Sequence, residues 1–193
     1  MKKSILTLSL LLIAAGVFSQ AKWTTDPAHT SVHFTATHMM ISDVDGKFNS
    51  FSGTMTASKP DFTDAQIEFT ADVNSISTDN EMRDNHLKSK DFFSADSFPQ
   101  IKFKSTSIKK ISDKKYLLDG NLTIKDVTKP VQFDVTFRGM ANDGYGNTRA
   151  GFKAEATVNR FDYHLNWNKM VEAGAVVSPE VHVTVNSEFI KQK

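Results

Sequence analysis

The feature that most constrains this chain is a regular alternation of apolar and polar residues in several separate segments. In the clearest segment, residues 131–138, four apolar side chains alternate with four polar ones. Successive side chains of a β-strand point to opposite faces, so this period of two predicts a strand with one buried face. The same alternation is found in segments 65–73, 150–158 and 181–189, and weaker versions occur in segments 32–40, 51–57, 101–108 and 118–124.

These segments predict an all-β fold of about eight strands, because one-sided alternation is typical of antiparallel sheets with one solvated face. One sheet of that size would leave its apolar face uncovered, so the chain must form a sandwich or close into a barrel. The alternation alone does not separate these two. Turn residues between the segments, such as Val44-Asp45-Gly46 and residues 141–146, predict the turns that join the strands.

Residues 1–19 have the form of a secretory signal peptide. Two lysines are followed by an apolar run that is too short to span a bilayer comfortably, and small residues follow it. Cleavage is expected near Ser19 and Gln20, which leaves residues 20–193 as a single domain without a transmembrane segment. A short signal of this type is typical of bacteria, so we expect a periplasmic or secreted protein.

The composition excludes several classes of function. The chain has no cysteine, which excludes thiol nucleophiles, thiolate metal sites and disulfides. Its 23 basic and 22 acidic residues nearly cancel, whereas proteins that bind nucleic acid usually carry a basic excess. Fifteen phenylalanines stand against three tyrosines and two tryptophans, which indicates either a large core or an apolar pocket.

One charged segment, residues 77–93, interrupts the alternation. Thr78 followed three residues later by Glu81 fits a capping box, which predicts a helix over residues 79–88. This helix carries only a thin apolar stripe, so it should lie on the strands and not within their core. We therefore expect a short helical insert around residues 79–93.

Three histidines near the amino terminus do not form a convincing metal site. Along one strand, His29 and His33 share a face while His38 points to the other, so the three cannot converge on one ion. His38 shares its face with apolar residues, and we interpret it as a core histidine. We assign no metal and no cofactor to the chain.

The insert contains side chains that could perform acid–base chemistry. Asp84 and His86 stand close together and could exchange protons with a substrate. No nucleophile elbow, zinc-binding helix motif or phosphate-binding loop accompanies them. The simpler interpretation is that Arg83 and Asp84 fasten the insert to the strands through ion pairs and backbone hydrogen bonds.

At several places the residues resemble the YceI-like family of polyisoprenoid-binding, lipocalin-like proteins. The similarity runs from Lys22 to Ile190, and its most specific block lies in the insert. The matching residues are Trp23, Asp26, His29, Val32, Phe34, His38, Gly46, Phe48, Phe51, Gly53, Thr78, Asn80, Arg83, Asp84, His86, Leu87, Asp91, Phe92, Phe93, Phe98, Pro99, Ile101, Phe103, Gly120, Leu122, Thr123, Thr128, Lys129, Asn159, Arg160, Asp162, Leu165 and Trp167.

This resemblance implies an extended, lipocalin-like antiparallel β-barrel whose lumen holds a long apolar ligand. Ligands of the family include isoprenoid chains, quinones and fatty amides. Members of the family are exported, and paired subunits are common among them, so a homodimer is an expected assembly. They are not established enzymes, and we assign no catalytic residue.

The resemblance and the strand pattern together suggest which side chains meet the ligand. We expect a wall or an end of the lumen to be formed by Phe34, Ala36, His38, Phe48, Phe51, Met55, Phe69, Phe92, Phe93, Phe103, Phe152 and Trp167. Asn80, Arg83 and His86 are expected to contact a polar or phosphorylated head group at the rim, since arginine suits phosphate well.

Two other functions stay open on the sequence alone. The first is an enzyme that acts on such a lipid with His38 or with the Asp84 and His86 pair. The second is a stress or adhesion module whose barrel is only a scaffold and whose partner is another protein. A large exposed apolar patch together with a closed lumen would favour the second.

Overall fold

Antiparallel strands make up most of the described chain. The computed structural model describes residues 20–171 and 174–193, so the predicted signal peptide lies outside the described residues. The strands are β1 (Ala21–Thr25), β2 (Ser31–His38), β3 (Ser42–Phe48), β4 (Phe51–Ala57), β5 (Gln66–Asp72), β6 (Ile76–Ser77), β7 (Gln100–Lys110), β8 (Lys115–Ile124), β9 (Val127–Asn142), β10 (Thr148–Asn159), β11 (Met170–Val171), β12 (Gly174–Ala175) and β13 (Val177–Lys191).

The main sheet closes on itself as a barrel of eight strand positions. Three of these positions are interrupted and are formed by β1 with β2, β3 with β4, and β5 with β6. They are followed by β7, β8, β9 and β10, and β13 closes the barrel. One edge of β13 pairs with β10, and its other edge pairs with β2 and then with β1. The predicted all-β fold, a lipocalin-like antiparallel barrel with a short helical insert, is confirmed.

The alternation of the sequence sorts side chains between the inside and the outside of the barrel. In β10, Ala150 and Phe152 are buried while Glu155 and Thr157 are exposed. The inward residues form three apolar clusters, which are centred on Phe62, on Phe92 and on Phe48. Members of all three clusters line the cavity described below.

Helical structure is limited to short insertions. The helix α1 (Glu81–Lys88) lies between β6 and β7, and 3₁₀ turns occupy Val73–Ser75 and Arg160–Tyr163. The predicted capping box is wrong, because Asn80 and not Thr78 caps the helix by accepting the backbone N–H of Arg83. Within the described ranges, no helix has the length and apolar character needed to cross a membrane.

The first hairpin reverses at a different place from the one predicted. The segment Val44-Asp45-Gly46 belongs to β3 and is not a turn, and Gly46 pairs with Phe34 of β2. The chain reverses at Met39 and Met40, which adopt left-handed backbone angles with φ of 51° and 63°. The prediction was wrong because Gly46 provides space for a neighbouring ring and does not serve a turn.

Candidate binding cavity

An apolar cavity of about 240 Å³ lies inside the barrel. The described residues that line it are apolar except for His33, Arg160 and Ser187. Inward residues such as Phe69 and Val183 remain half-buried, because part of their surface borders this cavity. Ten of the fifteen phenylalanines line the cavity, so the phenylalanine excess in the sequence serves its wall.

Buried glycines keep the cavity open by making room for phenylalanine rings. The pairs are Gly46 with Phe34, Gly53 with Phe69, and Gly120 with Phe103. A Cβ atom on Gly46 would lie 2.1 Å from the Phe34 ring, far inside van der Waals contact. Each ring therefore lies over the backbone of a neighbouring strand, where it takes less of the lumen.

One end of the barrel, which we call the closed end, is sealed by the loop between β4 and β5. Phe62 of this loop is 2% exposed. Its ring packs against Trp23 and Phe152 with centroid distances of 5.6 and 5.3 Å. The Tyr116 hydroxyl anchors the loop by donating to the Asp61 carbonyl over 2.9 Å. This end of the cavity is therefore closed by aromatic packing.

The opposite end, the cap end, is covered by residues 78–98, which we call the cap segment. This segment consists of α1 and the turns that follow it, and α1 itself has no buried residue. Leu87, Phe92 and Phe93 of the cap segment line the cavity. Phe92 is buried, and the other two are half-buried where they border the cavity.

Hydrogen bonds hold the start of the cap segment in place. The Asp84 carboxylate accepts from the Thr78 backbone N–H over 2.8 Å and from the Thr78 hydroxyl over 2.6 Å. Arg83 donates to the hydroxyl and the carbonyl of Thr78 over 2.7 and 2.8 Å. Because Thr78 directly follows β6, these bonds fasten α1 to the end of that strand. The predicted fastening by Arg83 and Asp84 is present, but it uses hydrogen bonds to Thr78 and not ion pairs.

His86 joins the cap segment to the loop that precedes β11. Its ring packs edge-on against Phe92 and Trp167, with both centroid distances at 5.0 Å. Its Nε2 atom lies 3.1 Å from the Asp91 carboxylate. These contacts hold the His86 ring against its two aromatic neighbours, so it lies beside the cavity.

Arg160 places a buried cation at the cap end of the cavity. It is 4% exposed, and burial lowers the pKa of its guanidinium. Its N–H groups donate to the carbonyls of Leu165, Trp167, Val177 and Ser178. Within the described part of the chain, these carbonyls and the ring of Phe161, 4.3 Å away, are the groups that stabilise the charge. Arg160 thus ties the loop after β10 to the start of β13.

Comparison with known proteins agrees with this geometry. The family model described as YceI-like domain matches residues 23–189. The chain belongs to the YceI-like family. Protein YceI of Salmonella newport is 34% identical over 197 residues that cover all of both chains.

Two solved structures have the same barrel as this YceI-like chain but differ in their sequence identity to it. The YCEI protein of Campylobacter jejuni superposes with a TM-score of 0.71 at 26% identity, covering 81% of this chain and 90% of that one. A polyisoprenoid binding domain from Saccharophagus degradans superposes with a TM-score of 0.66 at 13% identity, covering 88% and 98%. The second similarity concerns the fold alone.

Most of the predicted lumen residues of this YceI-like barrel do lie in the cavity wall. The residues that line it are Phe34, Ala36, Phe48, Met55, Phe69, Phe92, Phe93, Phe103 and Phe152. Three others lie elsewhere: His38 ends β2 opposite Val177, Phe51 stacks on Phe69, and Trp167 packs against Phe92. Contact of any of these residues with a ligand stays a prediction.

The three predicted rim residues already have partners in the cap segment. Asn80 caps α1, Arg83 binds Thr78, and His86 lies beside Asp91. None of the three belongs to the described cavity lining. Their contact with a head group therefore also stays a prediction, and it would require the cap segment to rearrange.

Among the lining residues that sequence reasoning did not name, three are informative. Phe62 lies in a loop, where no period marks it as inward. Arg160 belongs to the family pattern, but its charge gave no reason to place it beside an apolar lumen. Ser187 could have been found, because it falls on the inward positions of the alternating segment 181–189.

A network of charges lies on the outer surface where β13 changes its partner strand. Arg149 binds Asp26 over 2.6 Å, Asp143 over 2.8 Å, and Glu188. Hydrogen bonds from His29 and from Arg149 lower the pKa of Asp26 to about 2. Asp26, His29 and Glu188 could converge on a cation, but Arg149 already occupies both carboxylates. The network therefore fastens the barrel seam.

Proposed function

We propose that this YceI-like protein binds an isoprenoid-type or other long-chain apolar lipid in its barrel and sequesters or carries it. The observation that carries the proposal is an apolar cavity inside a closed barrel. Burial contributes about 0.8 kcal/mol per CH₂, so ten buried carbons supply about 8 kcal/mol. This amount corresponds to micromolar affinity before the cost of ordering the tail is subtracted.

The class of ligand is supported by chemistry and by one fold relative. An isoprenoid tail is a long chain with branching methyl groups, and the cavity wall mixes large rings with small residues such as Ala36 and Ala154. The Saccharophagus degradans domain with the same fold is named for polyisoprenoid binding. Quinones and fatty amides, which join long tails to compact polar groups, belong to the same proposal.

The direct test is to identify what the protein carries in its own host. Native mass spectrometry and organic extraction of the purified protein should release a long-chain lipid. Ala154→Phe should lose most of that lipid, because Ala154 lines the cavity. Glu155→Phe is the matched control, because Glu155 is exposed on the outer face of the same strand. A barrel that is always recovered empty would refute the proposal.

A binding role is favoured over catalysis by the location of the acid–base groups. Among the described residues that line the cavity, none has a carboxylate, and Asp84 and His86 are bonded within the cap segment. The enzyme alternative requires turnover of a bound lipid that His38→Ala or His86→Ala abolishes while binding persists. A partner-protein role would instead require function in the cavity-filling Ala154→Phe variant.

Export and assembly are further parts of the proposal. The lysines and the apolar run of residues 1–19 support export to the periplasm or the medium. Mass spectrometry of the protein from its host should then show a chain that begins near Gln20. A homodimer, expected from the family resemblance, would give twice the mass of one chain in light scattering.

A further inference from the structure

Ser187 places a hydroxyl group in the cavity wall near the closed end. Among the described residues, it is the one serine or threonine of the cavity lining. Val183, Val185 and Phe189 line the cavity from alternate positions of β13, so Ser187 shares their inward face. Its partner across the strands is Phe152, which packs against the ring that seals this end.

Other inward hydroxyls near this end have partners in the barrel wall. Thr25 accepts the backbone N–H of Gly53 over 3.0 Å, and Ser105 accepts the backbone N–H of Ile67 over 2.8 Å. Ser105 lies at a register shift between β7 and β8, and Thr25 is the last residue of β1. Their hydroxyls therefore have a structural use that requires no ligand.

The Ser187 hydroxyl differs because it makes no hydrogen bond within residues 20–171 and 174–193. Ser187 is half-buried, and its inward position means that its exposed part borders the cavity. A hydroxyl can both donate and accept a hydrogen bond, and leaving it unpaired in apolar surroundings is unfavourable. A tail that displaced water from Ser187 without replacing its hydrogen bond would bind less well.

The charges along the cavity restrict the chemistry of the group that Ser187 can receive. Arg160 contacts Ser178 at the cap end, and β13 bulges between Val177 and Val181, so Ser178 lies about 23 Å from Ser187 along the barrel wall. The lining around Ser187 at the closed end is apolar and includes Phe62 and Phe152. An anionic head group would lack a counter-charge there, whereas a carbonyl, hydroxyl or ether oxygen needs only one hydrogen bond.

We propose that Ser187 is a hydrogen-bonding subsite for a small, neutral, oxygen-bearing end of the lipid. The lipid enters the barrel with this end first, and its apolar tail extends toward the cap segment. This proposal rests on the lipid binding proposed above. It places the polar end opposite to the predicted rim residues Asn80, Arg83 and His86.

The first experiment measures how much one oxygen atom of the ligand contributes to its binding affinity. The probes are tridecan-2-one and 2-methyltridec-1-ene, in which the carbonyl oxygen is replaced by CH₂, and calorimetry gives their affinities. The preference for the ketone should fall by about tenfold from the wild type to Ser187→Ala, because one hydrogen bond is lost. The ratio of the two affinities in Ser187→Ala is compared with the same ratio in the wild type, so the different solubilities of the two probes cancel.

The matched control is Ser52→Ala, because Ser52 is exposed on β4. This variant should keep the preference of the wild type. An unchanged preference in Ser187→Ala overturns the subsite. Failure of both probes to bind the wild type instead refutes lipid binding itself, so the two proposals fail in distinguishable ways.

The second experiment determines the orientation of the ligand from the two tryptophans. Trp23 packs against Phe62 at the closed end, and Trp167 packs against Phe92 at the cap end. A decyl-substituted benzoquinone is the probe, because a quinone ring quenches tryptophan fluorescence at short range. Head-first entry should quench Trp23, observed in Trp167→Phe, more strongly than Trp167, observed in Trp23→Phe.

The substitutions suit the local packing. The indole N–H of Trp23 is buried and is the one buried side-chain donor without a partner in the described chain, so phenylalanine at this position removes an unsatisfied group. If Trp23→Phe does not fold, quenching in Trp167→Phe is compared with quenching in the wild type, and head-first entry predicts the larger quenched fraction in Trp167→Phe. Equal quenching, or stronger quenching of Trp167, overturns head-first entry and favours the rim residues.

Discussion

The two ends of the barrel are closed by different kinds of contact. At the closed end, the single side chain of Phe62 is buried among aromatic rings. At the cap end, α1 has no buried residue, and hydrogen bonds from Arg83 and to Asp84 hold it to Thr78. The closed end is thus sealed by apolar burial in a short loop, whereas the cap end combines the buried Phe92 with hydrogen bonds that hold a helix without buried residues.

This difference indicates how a ligand reaches the cavity. Removing Phe62 from its site exposes a large apolar surface, which makes opening of the closed end unfavourable by about 3 kcal/mol. The hydrogen bonds that hold α1 to Thr78 contribute only about 1 kcal/mol each to stability, because water can replace them when α1 moves away. We therefore expect lipid to enter and leave through the cap end while the closed end stays sealed.

The largest expected effect comes from replacing Phe62 by alanine. The loss of a buried ring should lower the free energy of unfolding by about 3–5 kcal/mol, measured by urea denaturation. Met82→Ala on α1 at the cap end is the control, because Met82 is 84% exposed. It should lose less than about 1 kcal/mol. Equal losses in the two variants would contradict the proposed difference between the ends.

Gly46→Ala disturbs the wall between the two ends. The new methyl group overlaps the Phe34 ring, which must shift toward the lumen. Stability should fall by about 1–3 kcal/mol through overpacking, and tridecan-2-one should bind more weakly in calorimetry. Gly144→Ala provides the control, because nothing lies within 4 Å of the added Cβ atom. Unaltered ligand binding in Gly46→Ala would show that the glycine does not control the cavity.

Asp84→Ala should open the cap end alone. Both hydrogen bonds to Thr78 are lost, so amide hydrogen exchange in α1 should become much faster. The global free energy of unfolding should fall by only about 1–2 kcal/mol. Asp96→Ala, which removes an exposed carboxylate from the same cap segment, should leave the exchange unchanged. Faster exchange around Phe62 instead would mean that the two ends open together.

The smallest effect concerns the pH dependence of the network around Arg149. The hydrogen bond to Asp26 raises the pKa of His29. A raised pKa means that His29 contributes stability below its unfolded pKa of about 6.5 and loses this contribution as the pH rises through the folded pKa. His29→Gln should therefore melt below the wild type at about pH 5.5 and together with it at about pH 9.

The control for this measurement is His33→Gln, which changes an exposed histidine outside the network. It shows how much of any change in melting temperature comes from the loss of an imidazole outside the network. Asp26 remains ionised throughout this range, because its pKa is lowered to about 2. A deficit of His29→Gln that persists at the higher pH would show that protonation of His29 plays no part.

Strands with a clear alternation of apolar and polar residues could be predicted from the sequence. Elements without this alternation could not. β9 and β10 could be predicted because burial of one face imposes alternation over many residues. β1 was missed because it is five residues long and only Trp23 in it is buried. The turn placed at Val44-Asp45-Gly46 was wrong because a glycine in a strand and a glycine in a turn give the same local signal.

The cavity wall was partly predictable for the same reason. Phe34, Phe69 and Phe103 fall on inward positions of periodic strands and do line the cavity. Phe62 reaches the lumen from a loop, and such placement depends on contacts with residues distant in sequence. The partners of Arg83 and His86 likewise became visible only once α1 was placed beside its neighbours.

The amino-acid sequence by itself determined that this chain forms antiparallel strands with one apolar face, because local alternation decides which side of each strand avoids water. It also determined that the segment around α1 leaves this pattern. Only the tertiary structure decided that the interior is a cavity and not a filled core. That outcome depends on rings such as Phe34 lying over glycines of neighbouring strands, and on Phe62 closing one end while polar contacts hold the other.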